Sequence, residues 1–454
     1  MGKILCKKMH FFSYFLMFFA IFLLFFNHNF SMAETLEPQA FYPLCSRIDK
    51  IIQENPLSKN AIVSVKILDR QGSCLYNRQS SLLLKPASTL KIPVSALVLK
   101  VLGENYKIKT SLYSKGDVLF LGLSGDSTLK TEDLRQLFQG INLEKYSKIV
   151  IDRDFIDNSY WNNGWMWDNL ISSDNVPFGV FNLDNNTIKL DVSINEGKIL
   201  VTTDYPLDFV NELKIGSRNN IKIEKRPWQN FQNPDVVYVS GEITTPISVD
   251  IAINSPEKYF LYRLSQVLQG CEGYDGFSKK FYYGEHPKGA KLLRERQTPL
   301  LEVLQKINTD SHNLSAETIF KIVSRETFGV CGNFLDSERI FKNFYNREDY
   351  LLYDASGLSH KNLLTCDFLC DVLYDMKNNQ NFVKTLATAG QSGTLKNRLE
   401  GVNLQAKTGT IDGVSGICGY LDNKYIFAIL IQNYKGSSIP AKMLEDEIIL
   451  ELNK

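Results

Sequence analysis

The chain has 454 residues, 44% of them hydrophobic, 12% aromatic and 22% charged. That is enough for two or three domains of about 150 residues each, with the composition of a globular protein. The near balance of 51 Lys+Arg against 50 Asp+Glu excludes the basic face of a nucleic-acid-binding protein.

The chain opens on what reads as a leader. Lys3, Lys7 and Lys8 precede the apolar run 11–26, and Ser31-Met32-Ala33 supplies small residues for cleavage before Glu34. The run is shorter than the roughly 20 apolar residues of a spanning helix, which favours a cleaved signal over an anchor. Residues 1–33 are therefore expected to be a signal peptide, and the protein to be exported to a periplasmic or other extracytoplasmic compartment. Seven cysteines follow, with no C-x-x-C spacing to support a zinc or thioredoxin-like site. Cys45 and Cys74 flank the first strand and can pair in an oxidising compartment; the sequence leaves this open.

After the leader, a helix is predicted over 44–55 and a strand over 61–69. A turn at Asp69-Arg70-Gln71-Gly72 then leads to a second short strand over 73–77. From 105 to 290, strand-like pieces (DVLFLGL, KIVIDR, TIKLDVSI, KILVTTD, VYVSGEI) alternate with turns rich in Asn, Gly and Asp. Helical pattern resumes over 298–308 and 315–326, and again in LLTCDFLCDVLYDM, where Cys366 and Cys370 face the core side by side. Three strands close the chain, over 404–410, 414–421 and 424–434, with turns at Asp412-Gly413 and Asp422-Asn423 and a last helix near 440–452. Two strands at one end and three at the other predict one antiparallel sheet built from both ends, with the middle inserted into it. The fold class is α+β. Its expected parts are the leader (1–33), a first part of the main domain (34–104), a mostly β insertion of two subdomains (105–290) and the second part of the main domain (291–454).

Ser-x-x-Lys occurs at Ser88/Lys91, Ser127/Lys130 and Ser255/Lys258, about as often as composition predicts, so context must separate the copies. Ser88 follows Pro86-Ala87 and leads into the apolar IPVSALVLKVL, so it opens a buried helix. Positions i and i+3 share a helix face, which lets the Lys91 amine reach the Ser88 hydroxyl. Burial lowers a lysine pKa and makes the amine a general base, and the helix N-terminus favours developing negative charge. Pro93 is tolerable because it falls in the first turn. Ser127 instead follows a Gly-Asp turn and precedes polar TEDLRQL, so it reads as a cap for the next helix. Ser255-Pro256 likewise reads as a helix start.

A proton donor for a leaving group is sought among S-x-N triplets. Ser173-Asp174-Asn175 lies in a loop of the insertion and Ser311-His312-Asn313 between two helices. Lys407-Thr408-Gly409-Thr410 stands on a strand beside a hairpin. Lysine offers a fixed positive charge, the threonines hydroxyls, and glycine a close backbone approach, which suits an extended peptide ending in a carboxylate and bound as an added strand.

Ser-x-x-Lys, Ser-x-Asn and Lys-Thr-Gly in that order resemble the signature of penicillin-binding proteins and β-lactamases. Ser88 and Ser311 stand 223 residues apart, too far for an ordinary β-lactamase. With so large an insertion, the chain is similar to the D-alanyl-D-alanine carboxypeptidase/endopeptidase family of class C low-molecular-mass penicillin-binding proteins. Further stretches agree along nearly the whole chain: LGLSGDSTLKTEDL, DNSYWNNGWMWDN, INTDSHNLSAE, DASGLSHKN and GQSGTLKNRLEG. Three positions depart from the pattern: Ser127 stands where proline is usual, His312 where aspartate is, and Ala355 where glycine is.

The resemblance implies a β-lactamase/transpeptidase-like domain, formed from both ends of the chain, and two-step acyl transfer. Ser88 is the implied nucleophile, Lys91 its base and Ser311 the relay of a proton to the departing D-alanine. The N–H groups of Ser88 and Thr410 hold the oxyanion, Asn313 grips a substrate amide, and Lys407, Thr408 and Thr410 hold the terminal carboxylate beside Gly409. Implied partners are stem peptides ending in D-Ala-D-Ala, cross-linked muropeptides and β-lactam inhibitors, with no metal and no cofactor. His286, His312 and His360 read as surface or loop residues. The competing readings are a β-lactamase and a catalytically silent wall-binding or β-lactam-sensing protein. An intact set of polar site residues argues against silence.

Overall fold

The computed structural model describes residues 42–226, 236–275 and 281–454. The leader read over 1–33 lies outside the described residues. Helix α1 (Tyr42–Glu54) buries Ile48 and Ile52, one turn apart, and precedes β1 (Ile62–Asp69) and β2 (Cys74–Arg78). The turn between the strands closes with the Gly72 N–H on the Asp69 carbonyl. A 3-10 turn, Ala87–Leu90, then runs into α2 (Lys91–Leu102), which has no polar face from Lys91 to Leu99 and is the central helix. Pro93 is its third residue, inside the first turn, where its missing N–H leaves no bond unmade.

The inserted region begins with the hairpin β3 (Lys107–Lys115) and β4 (Val118–Gly122). Helix α3 (Thr131–Phe138) then crosses to β5 (Lys148–Asp152), which lies parallel to β4. Next come β6 (Thr187–Asn195), β7 (Lys198–Thr203), β8 (Phe209–Ile215), β9 (Asn220–Lys225), β10 (Val237–Ile243) and β11 (Ile247–Ala252). They form two three-stranded sheets, ordered β8-β10-β9 and β11-β6-β7. Helix α4 (Pro256–Gln269) and β12 (Phe281–Tyr283) follow, and β13 (Lys291–Pro299) returns beside β3 to complete the sheet β12-β5-β4-β3-β13.

The chain continues through α5 (Leu300–Thr309), α6 (Asn313–Phe328) and α7 (Phe334–Tyr345) to a short ladder, β14 (Tyr350–Leu351) with β15 (Leu363–Leu364). It ends with α8 (Cys366–Met376), α9 (Gln380–Lys384), β16 (Ala387–Thr388), β17 (Leu404–Ile411), β18 (Val414–Leu421), β19 (Tyr425–Gln432) and α10 (Ile439–Leu452). The sheet order β16-β17-β18-β19-β1-β2 joins the two ends as expected, with β1 antiparallel to β19 from Ile62↔Gln432 to Asp69↔Tyr425.

Strand β18 is buried at all eight positions because both faces are covered. Ser415 donates to Glu445 of α10, whereas on the opposite face the Tyr420 hydroxyl donates to the Leu373 carbonyl of α8. A strand covered on both sides reads as a continuous apolar run, which is how VSGICGYL reads. Cys366 and Cys370 are buried side by side on α8 as expected, and their burial pushes both thiols up. Cys45 and Cys74 are free thiols; Cys45 Sγ donates to the Leu75 carbonyl at 3.2 Å.

Fully burying a large aliphatic side chain stabilises a fold by about 1.5–3 kcal/mol, and α2 carries a dense row of them. Leu97→Ala, at a position with no solvent exposure, is expected to cost about 2–5 kcal/mol, read as a lowered urea midpoint.

Candidate active site

Ala87 sits at φ 46, a conformation uncommon for a residue with a side chain, and turns the chain sharply into Ser88. The 3-10 turn continuing into α2 sets Ser88 and Lys91 on one face, with Lys91 Nζ 2.8 Å from Ser88 Oγ. Lys91 is fully buried, and its Nζ also meets Asn313 Oδ1 at 2.6 Å and the Ser356 carbonyl at 2.5 Å. A neutral amine has two N–H donors and one lone pair. With the two N–H groups given to those oxygens, the lone pair is left for the Ser88 hydroxyl proton. Burial lowers the Lys91 pKa to about 7, against the opposing pull of Asp354, Glu317 and Asp174.

Two buried carboxylates build the wall that supplies the Ser356 carbonyl. Glu317 of α6 accepts the Ser356 N–H at 2.8 Å, the Ala355 N–H at 3.0 Å and Asn162 Nδ2 at 2.6 Å. Asp354 accepts the Gly357 and Ser359 N–H groups at 2.8 and 2.6 Å, Trp165 Nε1 at 2.8 Å and Asn362 Nδ2 at 2.6 Å. Burial, with the Asp354 charge nearby, pushes Glu317 up. Gly357, at φ 85, is required here, because a Cβ would stand 1.9 Å from the Ala87 carbonyl oxygen.

The Ser311 loop joins α5 to α6. Ser311 sits at φ 63, His312 is the N-cap residue of α6, and Asn313 is its first residue. Asn313 uses both ends of its amide: Oδ1 accepts from Lys91, and Nδ2 donates to the Asp174 carbonyl at 2.7 Å. The Ser311 hydroxyl enters no hydrogen bond with the described residues.

The third element is β17, in register with β18 from Lys407↔Cys418 to Thr410↔Ser415. Gly409 passes against the nucleophile turn: a Cβ there would lie 2.8–2.9 Å from the Ser88 N, Pro86 O and Thr89 N atoms. Strand β16 pairs only with Gln405 and Ala406, which leaves the outer edge of β17 open from Lys407 onward among the described residues. Thr408 Oγ1 donates to Thr394 Oγ1 at 2.7 Å, and Thr410 is exposed. Lys407 is buried, with Nζ on the Thr408 carbonyl at 2.7 Å. Burial, with the Lys91 charge nearby, holds it well below the ordinary lysine range.

The structure thus gathers Ser88, Lys91, Asn313 and the Lys407–Thr410 strand. The other Ser-x-x-Lys copies differ from each other. Ser255 caps α4 by accepting the Lys258 N–H, as read. Ser127 caps nothing: Lys130 is the N-cap residue of α3, with its own N–H on Asp133 Oδ2, and buried Ser127 Oγ instead meets Ser315 Oγ at 2.8 Å. Among the histidines, exposed His286 meets Asp152, and half-buried His312 stands in the loop before α6 with its Nδ1 2.6 Å from Ser315 Oγ. Sequence reasoning missed Asp174, Glu317, Asp354, Ser356 and Thr394. All five lie within stretches already quoted or singled out: SDN, NLSAE, DASGLS and GQSGTL.

A model of the D-Ala-D-Ala carboxypeptidase 3 (S13) family matches residues 44–447. Over 436 residues the chain is 23% identical to the D-alanyl-D-alanine carboxypeptidase DacB of Haemophilus influenzae, covering 87% of this chain and 90% of that protein. A D-alanyl-D-alanine carboxypeptidase of Actinomadura is 25% identical over 463 residues, covering 89% and 83%. The crystal structure of penicillin binding protein 4 (DacB) from Haemophilus influenzae has the same fold, with a TM-score of 0.77 at 22% identity over 90% of this chain and 99% of that one.

Gly409→Ala is expected to force β17 away from the Ser88 turn. The overpacking should cost about 1–3 kcal/mol, measured as a lowered urea midpoint.

Proposed function

The chain belongs to the D-Ala-D-Ala carboxypeptidase 3 (S13) family, and on that footing we propose that Ser88, Lys91 and Ser311 perform its acyl transfer. The substrates are peptidoglycan stem peptides ending in D-Ala-D-Ala and the cross-links made from them, met outside the cytoplasm after the leader is removed. One observation carries the assignment: a fully buried amine, 2.8 Å from a serine hydroxyl, whose other two positions are taken by Asn313 and Ser356.

The peptide enters as an added strand on the open edge of β17. Its terminal carboxylate meets Lys407, Thr408 and Thr410, and the arriving negative charge favours the protonated form of Lys407 against the pull of burial. Asn313 holds a substrate amide. Lys91 takes the Ser88 proton as Oγ bonds to the carbonyl carbon of the penultimate D-alanine, and the N–H groups of Ser88 and Thr410 hold the oxyanion. When the C–N bond breaks, Ser311 passes its proton to the departing amine and takes the one held by Lys91, and an ester on Ser88 remains. Water then attacks the ester, with Lys91 again as base, and releases the shortened peptide. A β-lactam forms the same ester, but its leaving amine stays tethered and the adduct persists.

Ser88→Ala is expected to abolish both labelling by a fluorescent penicillin and release of D-alanine from a pentapeptide; labelling equal to the unmodified protein would overturn the site. Lys91→Met should slow acylation by roughly 10²–10⁴-fold, the usual worth of a general base. Because the free amine is the active form and its pKa lies at about 7, acylation should rise with pH through that value and fall about tenfold per unit below it. A rate independent of pH between 5 and 8 would rule out Lys91 as base.

A further inference from the structure

The second Ser-T-L-K lies behind the Ser311 loop. Ser127 Oγ is 2.8 Å from Ser315 Oγ, and Ser315 Oγ is 2.6 Å from His312 Nδ1. Ser127 and Ser315 are both buried, at 2% and 0% exposure. They form one chain from a turn of the inserted region to the middle residue of Ser311-His312-Asn313.

The far end of that chain is fixed. Asp126 holds its own turn through the Thr128 N–H and hydroxyl, both at 2.8 Å, and is bonded by Arg296 and Thr298 of β13. Gly125, at φ 72, packs so closely on α6 that a Cβ would reach 3.0 Å from Thr318 Cγ2. The near end needs fixing. Ser311 stands at φ 63, a left-handed conformation that is strained for a serine and persists only where the surroundings impose it. Two of the three positions at which the sequence departs from the pattern it resembles, Ser127 and His312, are the two ends of this chain.

We propose that Ser127, Ser315 and His312 are positioning residues that hold Ser311 and Asn313 in their working geometry. The inserted region thereby sets the reactivity of a loop it does not belong to. Because Asn313 Oδ1 bonds Lys91, the same chain also steadies the base. The groups facing the imidazole are Lys306 from α5, Lys130 from the start of α3 and Lys91 from α2; with burial they bring its pKa to about 4 and keep the ring neutral at working pH.

The inference rests on the roles given to Ser311 and Asn313 above. The test measures D-alanine release from a pentapeptide, acylation by a fluorescent penicillin and urea midpoints for Ser127→Ala, Ser127→Thr, His312→Phe and the Ala/Phe double variant. Ser127→Ala is expected to lower kcat about tenfold with KM nearly unchanged, as for an interaction that matters in the transition state. Ser127→Thr should recover most of that loss, and the double variant should be no slower than the slower single one, because both cut the same chain. Ser127→Ala at the unmodified rate would overturn the proposal. So would a double variant whose losses multiply, or losses that track the urea midpoint without rescue by threonine. Ser311→Ala runs alongside: full activity there would reject the reading of Ser311 itself, whatever Ser127→Ala does.

Discussion

The architecture depends on keeping one amine dry. Burying an ammonium in a protein costs several kcal/mol even after relaxation, so a lysine with no exposure is either paired or neutral. Lys91 meets no carboxylate directly. It is surrounded by a hydroxyl, an amide oxygen and a backbone carbonyl, which come from three separate segments of the chain. Each segment must approach within hydrogen-bond reach of the same nitrogen. This is why backbone is packed against backbone here, with Gly357 against Ala87 and Gly409 against Ser88. The carboxylates are kept one layer back, where Glu317 and Asp354 spend their lone pairs on backbone N–H groups and influence the amine only through the field.

Much of the scaffold around that amine was legible in residue order. The last three strands are apolar runs cut by Asp-Gly and Asp-Asn, and two early strands needed partners that only the far end could supply. The helix behind Ser88 announced itself because nine consecutive residues from Lys91 are buried and only two of them, Lys91 and Ser95, are polar. Ser88 could be chosen over the other Ser-x-x-Lys copies from its neighbours, whereas Ser311-His312-Asn313 was chosen over Ser173-Asp174-Asn175 through the family resemblance, and the structure brings Ser88, Lys91, Asn313 and the Lys407 strand together.

What stayed hidden has a common physical cause. The Ser356 and Asp174 carbonyls are backbone atoms, and any residue type would offer the same oxygen. Ser127 looked like a cap because its local surroundings are those of a cap; its real partner, Ser315, is 188 residues away. The parallel pairing of β4 with β5 depends on a crossover through α3, and strand pattern alone does not reveal direction. The burial of Lys407, which lowers its pKa, belongs to the fold and not to the Lys-Thr-Gly triplet. Local patterns specify elements; contacts between distant segments decide what the side chains do.

Strands β3 and β13 lie side by side and antiparallel, and the Leu300 N–H donates to the Tyr106 carbonyl at 2.9 Å. The chain therefore leaves the end of α2 and comes back to the start of α5 at almost the same point, although nearly two hundred residues intervene. To the helices on either side, that long excursion has the span of a tight connection. Its length can change at little entropic cost to the junction, since closing a loop depends only weakly on how much chain it contains. A doorway of this kind lets the excursion vary in length wherever it does not touch the site, as Ser127, Asn162, Trp165 and Asp174 do.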